Sequence, residues 1–468
     1  MRLFRQPEHI YALRKPDYQE NRDGRWLHIW KDIPHWLVVD TELHNLLNEL
    51  DGLRSLDEIL DLHPNWIPMR DSILAGIRAM EESGVVKSTD TISERKPSTS
   101  ERAIPIENVS LNITRRCNLQ CKFCYNLGFP EPDSEKELSA KQIWHFLRRL
   151  RPMLGKKPSL TILGGEPLLR PDDLLLLGVY TKQAGFETLV STNGTLITES
   201  FAKQAALIGL QMQVSLDGHN AELHDAVRGD GAFNKAIEGI KRMIQHKVYT
   251  TISMVCHKEN LLYLEEFYDL AKSLGVNEAR FIPLKCIGGG IDGGFSPVST
   301  FEMLKVSFDL FKRRPDLLQL AGRDAFSIIA NTCKYSITRK SCGTGLQTLL
   351  LDSDGSIYPC LNTNLPEFRL ANICDADFDF PKMWHHSAQL GDFRKQTAVT
   401  ETDGVCFDCV ARHWCFGGCR GETYISTGNI KAKPMGCADM RESIIEMMWM
   451  IAEKPDIVKS TNASTHYS

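Results

Sequence analysis

The sequence predicts an α/β protein. A partial (β/α)6 barrel of the TIM type is preceded by a small winged-helix-like α+β domain and followed by a cysteine-rich domain. Three observations carry this. From Val109 onward, short apolar runs alternate six times with amphipathic helical stretches, the pattern of β/α units around a parallel sheet. Segments rich in Gly, Ser, Asn and Asp sit at the carboxyl ends of those runs, where such barrels place their chemistry. Cysteine occurs fourteen times, with one tight triplet well ahead of a spaced series near the end. A length of 468 residues exceeds one ordinary domain. A hydrophobic content of 42% suffices for packed cores and argues against global disorder.

Residues 1–87 make the first domain. Trp26 to Trp30 and Trp36 to Val39 read as two strands around a turn at Asp32 to Pro34. A helix begins at Thr41, carries Leu43, Leu46, Leu47 and Leu50 on one face, and is expected to stop at Asp51-Gly52. Ser55-Leu56-Asp57-Glu58 is a capping box that opens a second helix. A third helix carries Ile73, Ile77 and Met80 and stops near Gly84. Residues 88–105 are polar and read as a linker.

The barrel is expected over 106–300, with strands at Val109 to Ile113, Ser159 to Leu163, Glu187 to Ser191, Gln211 to Leu216, Thr250 to Val255 and Arg280 to Leu284. Helices such as Ala140 to Leu150 and Leu261 to Ser273 return the chain. The run Gly288 to Gly294 precedes no helix that could cradle a phosphate and reads as a mobile linker or lid. A helical connector over 301–332, a cysteine-rich domain over 333–440 and a terminal helix and tail over 441–468 complete the chain.

Chemistry concentrates in the triplet Cys117, Cys121 and Cys124, spaced C-x3-C-x2-C. Thiolates are the usual ligands of iron–sulfur clusters, and three of them leave one iron of a cubane open for a substrate or cofactor. A structural zinc site more often shows two separated cysteine pairs. With Phe123 between the last two cysteines, the loop resembles that of the radical S-adenosylmethionine (radical SAM) enzymes. Leu163-Gly164-Gly165-Glu166-Pro167 is similar to the family's GGEP segment, and Ser191-Thr192-Asn193-Gly194 and Ser215-Leu216-Asp217-Gly218 resemble its next strand ends. The resemblance implies a radical SAM barrel with a [4Fe–4S] cluster on the three cysteines. It implies SAM contacts from Phe123, Gly164, Gly165, Glu166, Pro167, Ser191, Asn193, Ser215 and Asp217, with Glu166 accepting from the SAM ammonium. Arg228, in the segment His224-Asp225-Ala226-Val227-Arg228-Gly229, either meets the SAM carboxylate or belongs to a surface ion pair.

The series Cys342, Cys360, Cys406, Cys409, Cys415, Cys419 and Cys437 is similar to the SPASM extension of the same family, which implies two auxiliary iron–sulfur clusters, most simply [4Fe–4S]. Zinc ribbons are the rival reading. By the family pattern Cys342, Cys360 and Cys419 serve the first auxiliary cluster, and Cys406, Cys409, Cys415 and Cys437 the second. The first set is one ligand short. Either Cys333 completes it, or one iron stays open. The first domain resembles the PqqD-like RiPP recognition element, on element order, the Asp51 to Ser55 turn and Gly84-Val85-Val86. That resemblance implies binding of the leader of a ribosomally made precursor peptide along a strand edge.

A net charge of −4 and a pI near 6.4 give no electrostatic footprint for nucleic acid or an anionic membrane. Met1 to His9 lacks an apolar signal region, and no apolar run nears the length of a membrane span. A cytoplasmic protein with reduced, metal-binding cysteines is expected. The expected function is a radical SAM/SPASM enzyme that cross-links a precursor peptide through thioether or carbon–carbon bonds, fed by an external donor such as flavodoxin or ferredoxin. The alternatives are maturation of a protein of the sulfatase kind and tailoring of a tetrapyrrole or quinone cofactor.

Overall fold

The structure, a computed structural model, describes residues 10–88, 104–127, 136–337, 339–400 and 404–458. Most of the expected linker and the last ten residues lie outside these. The chain forms two compact units, one of residues 1–102 with 408–413 and one of the remainder.

The first unit is richer in strands than its periodicity suggests. β1 (Ile10–Leu13) lies between β5 (Asp51–Ser55) and β6 (Val86–Ser88), antiparallel to both. β2 (Tyr18–Arg22), β3 (Arg25–Trp30) and β4 (His35–Asp40) form an antiparallel meander. Asp23 and Gly24 both have positive φ and join β2 to β3, as an Asp-Gly hairpin turn does. Helix α1 (Thr41–Glu49) is capped by the Asp40 carboxylate, which accepts from the Leu43 N–H at 2.8 Å. Asp51-Gly52, expected as a helix stop, instead begins β5, because the helix has already ended at Glu49 and Leu50 O accepts from Leu13 N. The capping box forms with both bonds, Glu58 N to Ser55 Oγ and Ser55 N to Glu58 Oε2, and starts α2 (Leu56–Leu62). Helix α3 (Arg70–Ser83) ends on Gly84 in the left-handed conformation. Leu46, Leu47, Ile59, Leu60, Ile77 and Val86 close the core between these elements.

The second unit is built on one nine-stranded sheet, ordered β12-β11-β10-β9-β8-β7-β13-β14-β15. The six barrel strands are β7 (Ile106–Thr114), β8 (Leu154–Gly164), β9 (Glu187–Thr192), β10 (Gln211–Ser215), β11 (Thr250–Cys256) and β12 (Glu278–Pro283), all parallel. Their buried residues, such as Val109, Leu111, Leu160, Ile162, Val190, Met212, Val214 and Ile252, are fully enclosed, as parallel strands covered by helices require. The cysteine-rich part adds β13 (Thr348–Leu351) parallel to β7, then β14 (Ser356–Tyr358) and β15 (Ala371–Asn372) antiparallel. The terminal helix Cys437–Glu453 buries Ile444, Met447, Met448 and Ile451 and packs on helices Thr300–Arg313 and Ala325–Lys334. Among the described residues no helix is long and apolar enough to cross a membrane.

Candidate active site

The carboxyl ends of the barrel strands converge on a cavity of about 390 Å³. Cys117, Cys121, Phe123 and Cys124 line it from the loop after β7, Gly164 and Gly165 from the end of β8, and Ser191 and Asn193 from β9 and its exit. Ser215 enters from β10 and Arg228 from the end of helix Ala221–Arg228. Glu166, Pro167 and Asp217 do not line it.

The cysteine loop is held by backbone bonds on two sides. Lys122 N donates to Val227 O at 3.0 Å, and Gly289 N donates to Cys124 O at 2.8 Å. The glycine run Gly288 to Gly294 is therefore packed on the loop rather than a free lid. A Cβ on Gly289 would stand 2.5 Å from Lys122 O, and one on Gly288 the same distance from Tyr125 O. Only glycine allows that approach.

The pair Gly164-Gly165 has a structural demand of its own. Gly165 N bonds Thr114 O and Glu166 N bonds Arg116 O, each at 2.8 Å. A Cβ on either glycine would collide with those carbonyls. Gly164 O accepts from Asn126 Nδ2 at 2.8 Å and from the Tyr125 hydroxyl at 3.2 Å.

Glu166 is fully buried, and both its oxygens are engaged by the protein. Oε1 accepts from Thr192 Oγ1 at 2.7 Å and Leu168 N at 2.9 Å; Oε2 accepts from Asn193 N at 2.8 Å. Burial raises its pKa, and these bonds oppose the rise. The carboxylate clamps the ends of β8 and β9 together. Asp217, also fully buried, accepts from Arg228 Nε at 2.5 Å and from Val255 N at 2.9 Å. The pair is interior, so the surface ion pair is excluded. Arg228 Nη1 reaches Cys121 Sγ at 3.7 Å. His224, driven to a pKa of about 4 mainly by burial, accepts from Asp217 N through Nδ1 at 3.1 Å.

The donor set fits an iron–sulfur cluster. Three cysteine sulfurs open onto one cavity, the Leu119 N–H lies 3.5 Å from Cys117 Sγ, and the Arg228 cation faces Cys121. Such donors complement thiolates carrying negative charge. Burial pushes all three thiols up, so binding iron must displace their protons.

A second cavity, of about 690 Å³, is lined by Cys342, Cys360, Cys415, Cys419 and Cys437. Burial, reinforced by Cys360 and Cys419, pushes the Cys342 thiol up to about 11. Asn362 Nδ2 reaches Cys419 Sγ at 3.3 Å, and Arg420 Nη2 reaches Cys406 Sγ at 3.7 Å. This donor set also fits iron and sulfur. Cys333 is fully buried in helix Ala325–Lys334 and does not line the cavity. Cys406 and Cys409 do not line it either.

Several cavity residues escaped the sequence reading: Tyr125, Gln213, Ser253, Lys285 and Asn362. Gln213 and Ser253 carried a usable signal, because a strand sends every second side chain to one face. Gln213 stands two residues before Ser215, and Ser253 two before Val255. The approach of Asn362 to a cysteine and the place of Lys285 in the cavity wall had no counterpart in local spacing.

Comparison with known proteins agrees with this geometry. Residues 111–271 match the radical SAM superfamily, and residues 342–410 match the SPASM iron–sulfur cluster-binding domain. The mycofactocin maturase MftC of Mycolicibacterium smegmatis is 30% identical over 319 residues, covering 67% of this chain and 78% of that protein. The AdoMet-dependent heme synthase of Methanosarcina barkeri is 29% identical over 337 residues, 69% of this chain and 93% of its own. Among solved structures, anSMEcpe with bound AdoMet aligns with a TM-score of 0.62 at 20% identity, over 75% of this chain and all of that one. Streptococcus suis SuiB bound to precursor peptide SuiA aligns with 0.57 at 15%, over 92% and 98%. The chain belongs to the radical SAM superfamily, in the group with a SPASM extension, and is an enzyme that uses a [4Fe–4S] cluster, S-adenosylmethionine and auxiliary iron–sulfur clusters.

Proposed function

We propose that the enzyme modifies a ribosomally made precursor peptide, binding its leader on the first unit and forming a thioether or carbon–carbon cross-link in its core. The observation that carries this is the first unit itself. The first unit holds two small antiparallel sheets, β5-β1-β6 and β2-β3-β4, and small sheets of this kind can take up a peptide as an added strand. The fold shared with SuiB extends over 92% of this chain, too much for the second unit alone. The heme synthase is nearly used up by the 69% of this chain that it matches, which favours a peptide over a tetrapyrrole.

In this reading Cys117, Cys121 and Cys124 hold the cluster that binds SAM. When reduced, that cluster supplies the electron that splits SAM to a 5′-deoxyadenosyl radical. Phe123, Gly164, Gly165, Ser191, Asn193, Ser215 and Arg228 line the space SAM takes, while Glu166 and Asp217 act behind that wall. Cys342, Cys360 and Cys419 hold the first auxiliary cluster without Cys333; Cys406, Cys409, Cys415 and Cys437 hold the second. A flavodoxin or ferredoxin supplies the external electron.

The test is mass spectrometry of short peptides encoded beside the gene, each co-expressed with the enzyme. Loss of two hydrogens per cross-link on one peptide, absent with Cys117→Ala, is expected. SAM cleavage with no mass change on any peptide, and no deuterium uptake from labelled water, would sink the proposal.

A further inference from the structure

The two cavities of the second unit share a wall. Pro283, Leu284, Lys285 and Asn362 line both. Two of these carry polar side chains. Asn362 Nδ2 lies 3.3 Å from Cys419 Sγ, and Lys285 brings a cation into the wall of the cavity that Cys342, Cys360 and Cys419 line. Lys285 is exposed to the cavities that it lines.

Both residues are fixed from behind. Gly290 packs against Lys285 O so closely that a Cβ there would overlap it. Cys286 N donates to Glu422 Oε1 at 3.0 Å. Gly421 presses on Asn362 O with no room for a Cβ. The backbone that carries both donors is thus held in place beside the cavity wall.

N–H donors and a cation at a ligating sulfur favour the reduced, more negative state of an iron–sulfur group and raise its potential. We propose that Lys285 and Asn362 are positioning residues that raise the reduction potential of the group held by Cys342, Cys360 and Cys419. This rests on the ligand set assigned above.

The experiment is a potentiometric EPR titration of the full-length reconstituted chain in a Cys117→Ala/Cys121→Ala/Cys124→Ala background, where only auxiliary signals remain. At the parent midpoint, Lys285→Met is expected to lower the reduced-to-oxidised ratio of one signal at least tenfold, about 59 mV for one electron. Lys285→Arg restores most of it, and Asn362→Leu gives a smaller shift of the same sign. Iron content should be unchanged, a result a merely structural role would not combine with a shifted potential. If Lys285→Met binds less iron, Lys285→Gln is titrated instead. A ratio within threefold of the parent, at full iron content, overturns the proposal. Cys419→Ala separates the underlying assignment: it should abolish the same signal, and if it leaves both signals and the iron content intact, the ligand set itself is wrong.

Discussion

Glu166→Gln separates two roles that one carboxylate could play. If the side chain met the SAM ammonium, the substitution would weaken SAM binding and leave the fold alone. The structure gives the opposite expectation. An amide can keep the two bonds to Oε1, from Thr192 and Leu168. Its NH2 then faces the Asn193 N–H, which now bonds Oε2 at 2.8 Å. One buried backbone donor loses its acceptor and two amide hydrogens gain none. Each buried unsatisfied group costs about 1–3 kcal/mol, and the surviving bonds weaken once the acceptor is neutral. Relief of a buried charge offsets part of this. A net loss of about 2–3 kcal/mol follows. The assay is urea denaturation of the cluster-free chain under reductant, following the transition of the second unit, paired with SAM binding to the reconstituted enzyme. A variant of unchanged stability that no longer binds SAM would refute the clamp and restore the direct contact.

Further expectations concern other positions. Arg228→Met strips the buried Asp217 of its cation and should cost about 3–5 kcal/mol, with Asp217→Asn/Arg228→Met recovering much of it; equal melting of the single and double variants would contradict this. Gly289→Ala should displace the Cys124 loop and lower iron at the triplet, read as the loss of the SAM-perturbed EPR signal, with the auxiliary signals retained. The first unit should weaken in acid. His28 is fully buried, and burial first, then His44, lowers its pKa to about 4. A lowered histidine contributes its full stability above the unfolded value of 6.5 and loses it as pH falls from there towards 4, about 3 kcal/mol in all. Hydrogen exchange of β3 amides at pH 7 and 5, corrected for intrinsic rates, measures the fall. Ser55→Ala removes one half of the capping box and should cost the same unit about 1 kcal/mol without touching SAM cleavage.

What could be read from the sequence follows physical locality. The cysteine triplet and the SPASM series are patterns in the chain itself, and the six barrel strands show as apolar runs because parallel strands are buried on both faces. The strands β1, β2, β5 and β6 have three to five residues each, too short for a period-2 signal. The Asp23-Gly24 pair carries a hairpin signal that the sequence reading did not use. Long-range partners could not be read. The glycine run looked like a lid because nothing in its local sequence names the carbonyls of Lys122, Cys124 and Tyr125 that it packs on. For Glu166 the motif names SAM, and nothing local to it names the three donors on the turn behind it and at the end of the next strand that hold its carboxylate.

The spacing of the two cavities is itself a consequence of strand register. β7 carries the cysteine triplet at its exit, and β13 leads through its hairpin to Cys360. The two strands pair directly, Asn108 with Thr348 and Leu111 with Leu351. A slip of two residues would preserve the inward and outward faces yet shift one cysteine set past the other by about 7 Å. Alternation of apolar residues cannot forbid that slip. Asp352 can, because it sits just past β13 and gathers polar partners from β7 and its exit. Asn112 Nδ2 donates to it at 3.0 Å, Arg115 forms a buried ion pair with it, and Arg115 also reaches Asn364 at 3.1 Å. These groups have complementary partners in one register only, and leaving them unpaired in the interior would cost several kcal/mol. The buried polar cluster at Asp352 therefore acts as a ruler between the two sites, and its sequence signal is faint because its members stand about 240 residues apart.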